Sequence, residues 1–303
     1  MKKRMLTFFT ACALTLAAAA MVHALPSQTF ISTTGNDAND CTQSTPCRTF
    51  AAAVPRTGTR GVITALDSGS FGIVTVDKAL TLQAAPGMYA VLQGGRSDDG
   101  VTINAGVSEV VVLRNLHIIT QSVADNKGVA INTAGAVHIE SCVIAGFGGS
   151  GIFKGGSCNE NGCAQLFVID TILRDNVTGI DLASVKGSID HCRIEHNHTG
   201  ILVQAQGDAT IRDSVVAGNS TVGIRATILG GATVENCVVT NNGTGIEGDS
   251  APGVFSAVRV SSTTIVANGT GILANGGHIS SFGNNRLAHN STNGAFTVTI
   301  QLQ

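Results

Sequence analysis

The sequence predicts an all-β protein, a parallel β-helix of roughly ten coils with a short N-terminal capping helix. The first observation is that the pair Gly-Ile recurs in steps of 21, 23, 22 and 26 residues, at Gly179, Gly200, Gly223, Gly245 and Gly271. The second is an asparagine three or four residues before these glycines and before a later one, at Asn176, Asn197, Asn219, Asn242, Asn268 and Asn290. The third is a small residue five positions ahead of the first five asparagines, at Thr171, Cys192, Ser214, Cys237 and Thr263. Recurrence at one spacing is typical of a repeat array.

Short runs of Val, Ile and Thr, broken by Gly, Asn and Asp, predict strands rather than helices within each repeat. Three such strands must bury their inward side chains against neighbouring repeats, which parallel stacking of successive coils achieves. Leucine-rich repeats have a similar period but need a regular Leu framework, and trimeric β-fibres lack the Asn-x-Thr-Gly bend. Further strands with looser spacing are predicted upstream, at 61–66, 73–76, 79–83, 101–105, 110–113 and 116–120.

Each repeated position then has an expected role. The asparagines are predicted to form a hydrogen-bonded ladder between coils. The glycine that follows each one is expected to take a positive φ, and the isoleucine after it to point inward. Cys142 is expected to share one inward column with Thr171, Cys192, Ser214, Cys237 and Thr263. In that column the three cysteines would be reduced, structural thiols rather than reactive ones.

The two ends of the chain differ from the repeats. Residues 1–24 are predicted to be a signal peptide, with a basic start, an apolar stretch over 6–21 and small residues before the cleavage site. A membrane anchor is the alternative, although the apolar run is short. Residues 25–60 are predicted to be an N-terminal cap with a helix over 48–54 that Pro55 stops. Residues 61–303 would then be the β-helix, closed by a strand over 295–303. The mature chain is expected to be secreted or periplasmic, with no membrane span.

Composition narrows the function and the cysteine chemistry. Only 13% of residues are charged and the net charge is −2, which argues against a disordered chain and against nucleic-acid binding through a basic stripe. Export implies an oxidising compartment. Two cysteine pairs bracket short turns and predict two disulfides, Cys41–Cys47 and Cys158–Cys163. Zinc is the alternative, but the pairs lie far apart and no histidine stands nearby at ligand spacing. No metal or cofactor is predicted.

At this point the residues resemble a known family. The Asn-x-Thr-Gly-Ile repeats, with Gly35-Asn36-Asp37 and Pro46-Cys47-Arg48-Thr49-Phe50, are similar to the right-handed β-helix proteins of the pectate-lyase-like superfamily. The resemblance covers about residues 30–303 and implies a right-handed, single-stranded parallel β-helix. The superfamily includes polysaccharide lyases, glycoside hydrolases, epimerases and proteins without known activity, so it implies a fold rather than a reaction. Ca²⁺ would be expected only if the chain were lyase-like.

In the resembled enzymes the active groove lies along one sheet and uses outward residues. With the isoleucines inward, the candidate outward residues are Asp181, Arg225, Glu247 and Asp249. Glu247 and Asp249 would lie two residues apart on one face, near the carboxylate separation of an inverting glycosidase. Arg225, one coil away, would supply a lyase-type base or bind a uronate. The alternative interpretation is an exposed salt bridge on the sheet surface.

Other polar clusters are weaker signals. His191, Glu195, His196 and His198 suggest a metal site, but alternation places them on different faces of a bend, so we expect surface histidines. Asp98 and Asp99 are assigned to a polar loop. The chain has no Trp and one Tyr, although glycan sites use flat aromatic platforms. The sequence therefore favours a noncatalytic surface-interaction or structural module that contacts a polysaccharide or cell-surface component. The alternative is a polysaccharide lyase or glycoside hydrolase acting on an acidic polysaccharide.

Overall fold

The computed structural model describes residues 24–94, 98–120, 124, 126–155, 165–251 and 255–301. Each coil contains up to three short strands, and each strand pairs in parallel with its counterpart on the next coil, so that three sheets run along the molecule. In the described residues the three sheets have twelve, ten and nine strands, close to the roughly ten coils predicted. Inward Ile, Val and Leu side chains fill the space between the sheets. The predicted parallel β-helix is confirmed.

We number the sheets in the order in which a coil passes through them. Sheet 1 consists of Gln28–Ile31, Gly61–Ala65, Leu80–Ala84, Val110–Arg114, Ala136–Glu140, Gln165–Ile169, Lys186–Asp190, Asp208–Arg212, Gly231–Glu235, Ala257–Ser261, His278–Ser281 and Val298–Thr299. Sheet 2 consists of Gly69–Ser70, Ala90–Gln93, Leu116–Ile119, Val143–Ala145, Ile172–Arg174, Arg193–Glu195, Val215–Ala217, Val238–Thr240, Thr264–Val266 and Arg286–Ala288. Sheet 3 consists of Val74–Val76, Val101–Asn104, Val129–Thr133, Ser150–Lys154, Thr178–Ala183, Thr199–Gln204, Val222–Thr227, Thr244–Asp249 and Thr270–Asn275.

The asparagine ladder is present in the structure. The side-chain amide of each asparagine from Asn176 to Asn268 donates to Oδ1 of the next one along, over 2.9–3.1 Å. The same Oδ1 also accepts the backbone N–H of the preceding ladder residue, over 2.9–3.0 Å. Asn197, Asn219 and Asn242 therefore lie one above another, and all three are buried. Each buried amide is satisfied by the copy on the neighbouring coil.

The column of small residues also points inward. Its members are almost fully buried, and the backbone N–H of Cys192 donates to Oγ of Ser214 on the next coil over 3.0 Å. The three cysteines of the column are unpaired thiols. Burial raises the pKa of Cys142 and Cys192 to about 12 and that of Cys237 to about 11. They are therefore small, protonated core residues.

The prediction of a positive φ at the ladder glycines is wrong, except at Gly294, where φ is 70°. The positive φ lies instead on the residue just before each ladder asparagine, as at His196 (56°) and Asn241 (56°). Gly200 is needed for a different reason: a Cβ there would lie 2.4 Å from the carbonyl oxygen of Gly223 on the next coil. Glycine thus allows the coils to approach closely. The isoleucines after these glycines are buried, as predicted.

The N-terminal end is covered by a short helix. Cys41 and Cys47 form the predicted disulfide, and Thr49 caps the helix Phe50–Ala53 by accepting the N–H of Ala52 over 3.2 Å. The α-helix is shorter than the predicted 48–54 and ends at Ala53, and Pro55 lies in the 3₁₀ turn Val54–Arg56 that follows it. In the part of the chain that the structure describes, no helix is long and apolar enough to cross a membrane. The predicted signal peptide, apart from Ala24, and the pair Cys158–Cys163 lie outside the described residues.

Candidate functional site

The outer face of sheet 3 presents one side chain per coil in register. These residues are direct partners from strand to strand and form a single row, consisting of Thr75, Thr102, Ala130, Phe153, Asp181, Leu202, Arg225, Glu247 and Leu273. We call it the sheet 3 row. The row arises because successive side chains of a strand point to opposite faces of the sheet, so that the isoleucines next to the row residues point inward. Three of the four candidate residues lie in this row, and Asp249 lies two positions beyond Glu247 on the same face.

Arg225 joins two of the candidate carboxylates. Its Nη2 donates to Oδ2 of Asp249, and its Nε lies 3.7 Å from Oε2 of Glu247. The Arg225 side chain is 37% exposed, whereas that of Glu247 is only 10% exposed. Asn275 on the next coil donates to the other oxygen of Asp249 over 3.1 Å. The structure therefore brings Arg225, Glu247 and Asp249 into one charged group, which we call the Arg225 group.

Asp181 lies apart from that group. Leu202 separates it from Arg225 in the row, so the two backbones are about 10 Å apart at the usual strand spacing. Oδ1 of Asp181 accepts from Nε2 of Gln204 over 2.9 Å. Phe153 is the neighbour of Asp181 in the row, and Nζ of Lys127 lies 5.3 Å from the centre of the Phe153 ring. The four candidate residues therefore lie on one face of sheet 3, but Asp181 is not part of the cluster that the other three form.

The two carboxyls of the row, those of Glu247 and Asp181, have shifted pKa values. Burial raises the pKa of Glu247; the charge of Arg225 opposes that shift and the charge of Asp249 adds to it. Burial also raises the pKa of Asp181, against the hydrogen bond from Gln204 and the charge of Lys127. Each of these groups therefore holds its proton to a higher pH than an exposed carboxyl does.

A cleft that the sequence does not reveal lies at the N-terminal end of this face. It has a volume of about 530 Å³ and lies between Ala51 and Val54 of the N-terminal helical segment and Thr75 and Thr102 of the row. Asp98 and Asp99 also line it. In the sequence these two acids are part of a predicted polar loop, and only the fold shows that this loop lies beside sheet 3.

The histidines do not form the cluster suggested by their spacing. His198 is hydrogen-bonded to Thr221 over 2.9 Å, and Glu195 pairs with Arg193 over 2.8 Å. His191 lies instead with two aspartates, and ligand atoms of Asp190, His191 and Asp213 lie within 4.8 Å of one another. The second oxygen of Asp190 pairs with Arg212 over 3.1 Å. Because Arg212 already pairs with Asp190, we assign no metal to the group of Asp190, His191 and Asp213.

Comparisons with known proteins support the fold. A search of curated protein sequences gives no match. The pectate lyase Pel9A has a similar structure, with a TM-score of 0.57, 12% identity, and coverage of 84% of this chain and 67% of that one. The GH136 lacto-N-biosidase from Eubacterium ramulus gives a TM-score of 0.51 and 11% identity, over 90% of this chain and 66% of that one. At these identities the likeness shows the fold alone. The sequence profile described as "Right handed beta helix region" matches residues 127–291, more than half of the 303 residues, so this chain belongs to the right-handed β-helix family.

Proposed function

We propose that this protein is an exported module that binds a polysaccharide chain lengthwise along the outer face of sheet 3 and does not process it. The observation that carries the proposal is the sheet 3 row, in which one outward side chain per coil lies in register from Thr75 to Leu273. Successive coils are about 4.8 Å apart, which is close to the length of one pyranose ring. Successive sugars of an extended chain would therefore meet successive coils.

The side chains on this face suit sugar hydroxyls. Gln204, Asp249 and Asn275 offer planar amide and carboxylate groups with unused hydrogen-bonding capacity. Leu202, two positions before Gln204 in the same strand, offers apolar surface for the face of a sugar ring. Polar groups beside apolar surface are typical of ligand sites, and here they recur along one sheet face.

The Arg225 group favours binding over a lyase reaction. A guanidinium keeps its proton in proteins, so it serves as a base only where its surroundings are exceptional. Arg225 instead lies between two carboxylates and pairs with both. A uronate carboxylate at Arg225 would lie beside Asp249 and Glu247, whose negative charges oppose its approach.

One observation favours a second candidate, a glycoside hydrolase. A general acid needs a raised pKa, and burial raises the pKa of Glu247. Asp249, two residues along on the same face, would then be the partner carboxylate. A pectate lyase and a lacto-N-biosidase have this fold, which is the reason to test for catalysis directly.

The test is a panel of uronate-rich, neutral and amine-bearing polysaccharides. Binding is measured by calorimetry, and product release is followed by absorbance at about 235 nm and by reducing ends, with and without Ca²⁺. We expect binding without product, and a loss of about five-fold or more in affinity for Gln204→Ala. Gln165→Ala, an exposed glutamine on sheet 1, is the matched control and should bind normally. Product release that disappears in Glu247→Gln would establish the second candidate, and no binding to any polymer would refute the proposal.

The export part of the proposal rests on the predicted signal peptide over 1–24 and on the Cys41–Cys47 disulfide, which suits an oxidising compartment. Expression of the full chain in a bacterium with an export system should give a mature protein that begins at Leu25. N-terminal sequencing of the periplasmic and culture fractions measures this. Protein found only in the cytoplasm with its first residues intact would contradict export.

A further inference from the structure

Resting on the proposed function, we infer that the polysaccharide on sheet 3 is bound by one of its ends, and that the cleft beside Thr75 holds this end. Three observations carry the inference. They are the place of the cleft at one end of the sheet 3 row, its size and lining, and an unpaired backbone edge beside it. The ligand is then a chain terminus with the sugars next to it, rather than an internal stretch of polymer.

The sheet 3 row is closed at one end. Val74–Val76 is the first strand of sheet 3, and the described residues place no further strand beside it. The N-terminal helical segment lies there instead, and Ala51 and Val54 of that segment line the cleft. At the other end of the row Leu273 is 41% exposed, and the described residues form no helix there. A sugar chain that follows the row therefore has room to extend past Leu273 but meets the helical segment at the cleft.

The cleft has the size and the mixed lining of a ligand site. Its volume of about 530 Å³ falls within the range of about 300–1,000 Å³ that is usual for small-molecule pockets. Val54 and Ile73 contribute apolar surface, and Ile73 is exposed although it is a large aliphatic residue. Polar groups come from the hydroxyls of Thr75 and Thr102 and from the carboxylate of Asp98. A sugar has both apolar C–H faces and hydroxyls, so both parts of the lining have a counterpart on it.

The edge of sheet 3 leaves two backbone groups unpaired at the cleft. Val74 donates its N–H to the carbonyl of Gly100 over 3.2 Å. Because adjacent residues of a parallel strand direct their backbone groups to opposite sides, the N–H and C=O of Thr75 point away from that neighbour, towards the helical segment. Among the residues that the structure describes, neither group has a hydrogen-bond partner. Sugar hydroxyls both donate and accept, so they can bind this N–H and this C=O.

The helical segment selects a chain end over an internal sugar. An internal sugar is linked to a further sugar on both sides, and at the cleft one of these two would overlap with the helical segment. A terminal sugar carries a free hydroxyl in place of that second link, and this hydroxyl can reach the unpaired backbone groups of Thr75. A clash with one ligand and a hydrogen bond to the other together give specificity.

The first test counts the protein molecules that one polymer binds. The probes are hexamers of galacturonate, of xylose and of glucosamine, and the matching polymers of about 100 sugars, titrated by calorimetry against the full-length protein. For each sugar that binds, we expect one protein per polymer molecule and a Kd within about three-fold of that of the hexamer. Internal binding would instead place about ten proteins on each polymer, because nine coils at the strand spacing cover about nine sugars.

Matched variants test the cleft itself. Ala51→Trp adds an indole to the cleft from an exposed position, and Ala38→Trp adds the same group at an exposed position of the cap that does not line the cleft. We expect Ala51→Trp to weaken binding of the hexamer about ten-fold or more, and Ala38→Trp to change it by less than about two-fold. Thr75→Val, which removes one exposed hydroxyl at constant size, should weaken binding about three-fold.

The outcomes separate this inference from the proposed function. Several proteins bound to each polymer molecule would overturn the inference and leave lengthwise binding in place. Equal affinity of Ala51→Trp and Ala38→Trp for the hexamer would also overturn it. If the unaltered protein binds none of the hexamers or polymers, the proposed function fails and the inference fails with it.

Discussion

Asn219 lies in the middle of the asparagine ladder and is fully buried, so its truncation to alanine is the sharpest perturbation of the fold. Its Oδ1 accepts from the backbone N–H and the side-chain amide of Asn197, over 3.0 and 3.1 Å. Its Nδ2 donates to Asn242 Oδ1 over 2.9 Å and to the carbonyl of Ile194 over 3.1 Å. Asn219→Ala removes all four of these hydrogen bonds.

The expected loss follows from that count. A hydrogen bond between uncharged groups contributes about 1 kcal/mol net, so four of them give about 4 kcal/mol. The N–H of Asn197 also loses its acceptor in a site that water does not reach, which places the loss at the upper end of ordinary substitutions. We expect a fall of about 3–5 kcal/mol in the free energy of unfolding. In a solenoid, the damage should concentrate in the coils next to Asn219.

The assay is urea unfolding followed by far-UV circular dichroism, because the chain has no Trp for fluorescence. Hydrogen exchange then shows which coils open first. The control is Ser220→Ala, the exposed neighbour of Asn219, which should change the free energy of unfolding by less than about 0.5 kcal/mol. A loss below about 1 kcal/mol for Asn219→Ala, or equal loss in both variants, would refute the view that the ladder supports the coils.

Three further predictions concern close packing, the thiols and the carboxyl of Glu247. Gly200→Ala should cost about 3 kcal/mol in urea unfolding, because its Cβ meets a backbone oxygen that cannot rotate away; a neutral result would show that the coils can separate. A thiol reagent at pH 8 should leave Cys142, Cys192 and Cys237 unmodified in the folded protein and modify them after denaturation, as measured by peptide mass mapping. Rapid modification of the folded protein would contradict the burial of these thiols. The raised pKa of Glu247 means that the folded state holds its proton more tightly than the unfolded state, so this group's contribution to stability is present below the ordinary glutamate pKa and is lost as pH rises through the folded pKa. Glu247→Gln should therefore flatten the pH dependence of stability over that window and change stability by no more than about 1 kcal/mol at pH 7; a pH profile that stays parallel to that of the parent protein would refute it.

Much of the fold could be predicted because each repeated residue meets the same surroundings in every coil. The asparagines and the inward isoleucines are visible as a period in the sequence, and a period is what a parallel stack produces. The six predicted upstream strands match observed strands to within one residue at each end. Gly69–Ser70 could not be predicted, since two residues show no alternation. Gln28–Ile31 lies before the disulfide, in the segment assigned to the cap, yet it pairs with Gly61–Ala65.

The candidate site was predictable only in part. That Arg225, Glu247 and Asp249 point outward follows from the alternation of side chains within each strand. This prediction requires no knowledge of how other coils pack. It does not show that Arg225 joins both acids, since that depends on side-chain conformations across two strands. The cleft beside Asp98 depends on how a loop and the N-terminal helix lie over sheet 3, which no local pattern records. The positions of positive φ were also missed, because His196 and Asn241 adopt a conformation that the sequence more readily suggests for glycine.

Lengthwise binding on sheet 3 is tested most directly by the dependence of affinity on the length of the bound chain. Calorimetry with a series from the monosaccharide to the octasaccharide of whichever polymer binds best supplies the measurement. Affinity should rise with each added sugar through about six units, since each sugar contacts a further coil at the strand spacing. An affinity that is already constant from the disaccharide onward would show that the sugar is held in a single pocket, and lengthwise binding along the row would be contradicted.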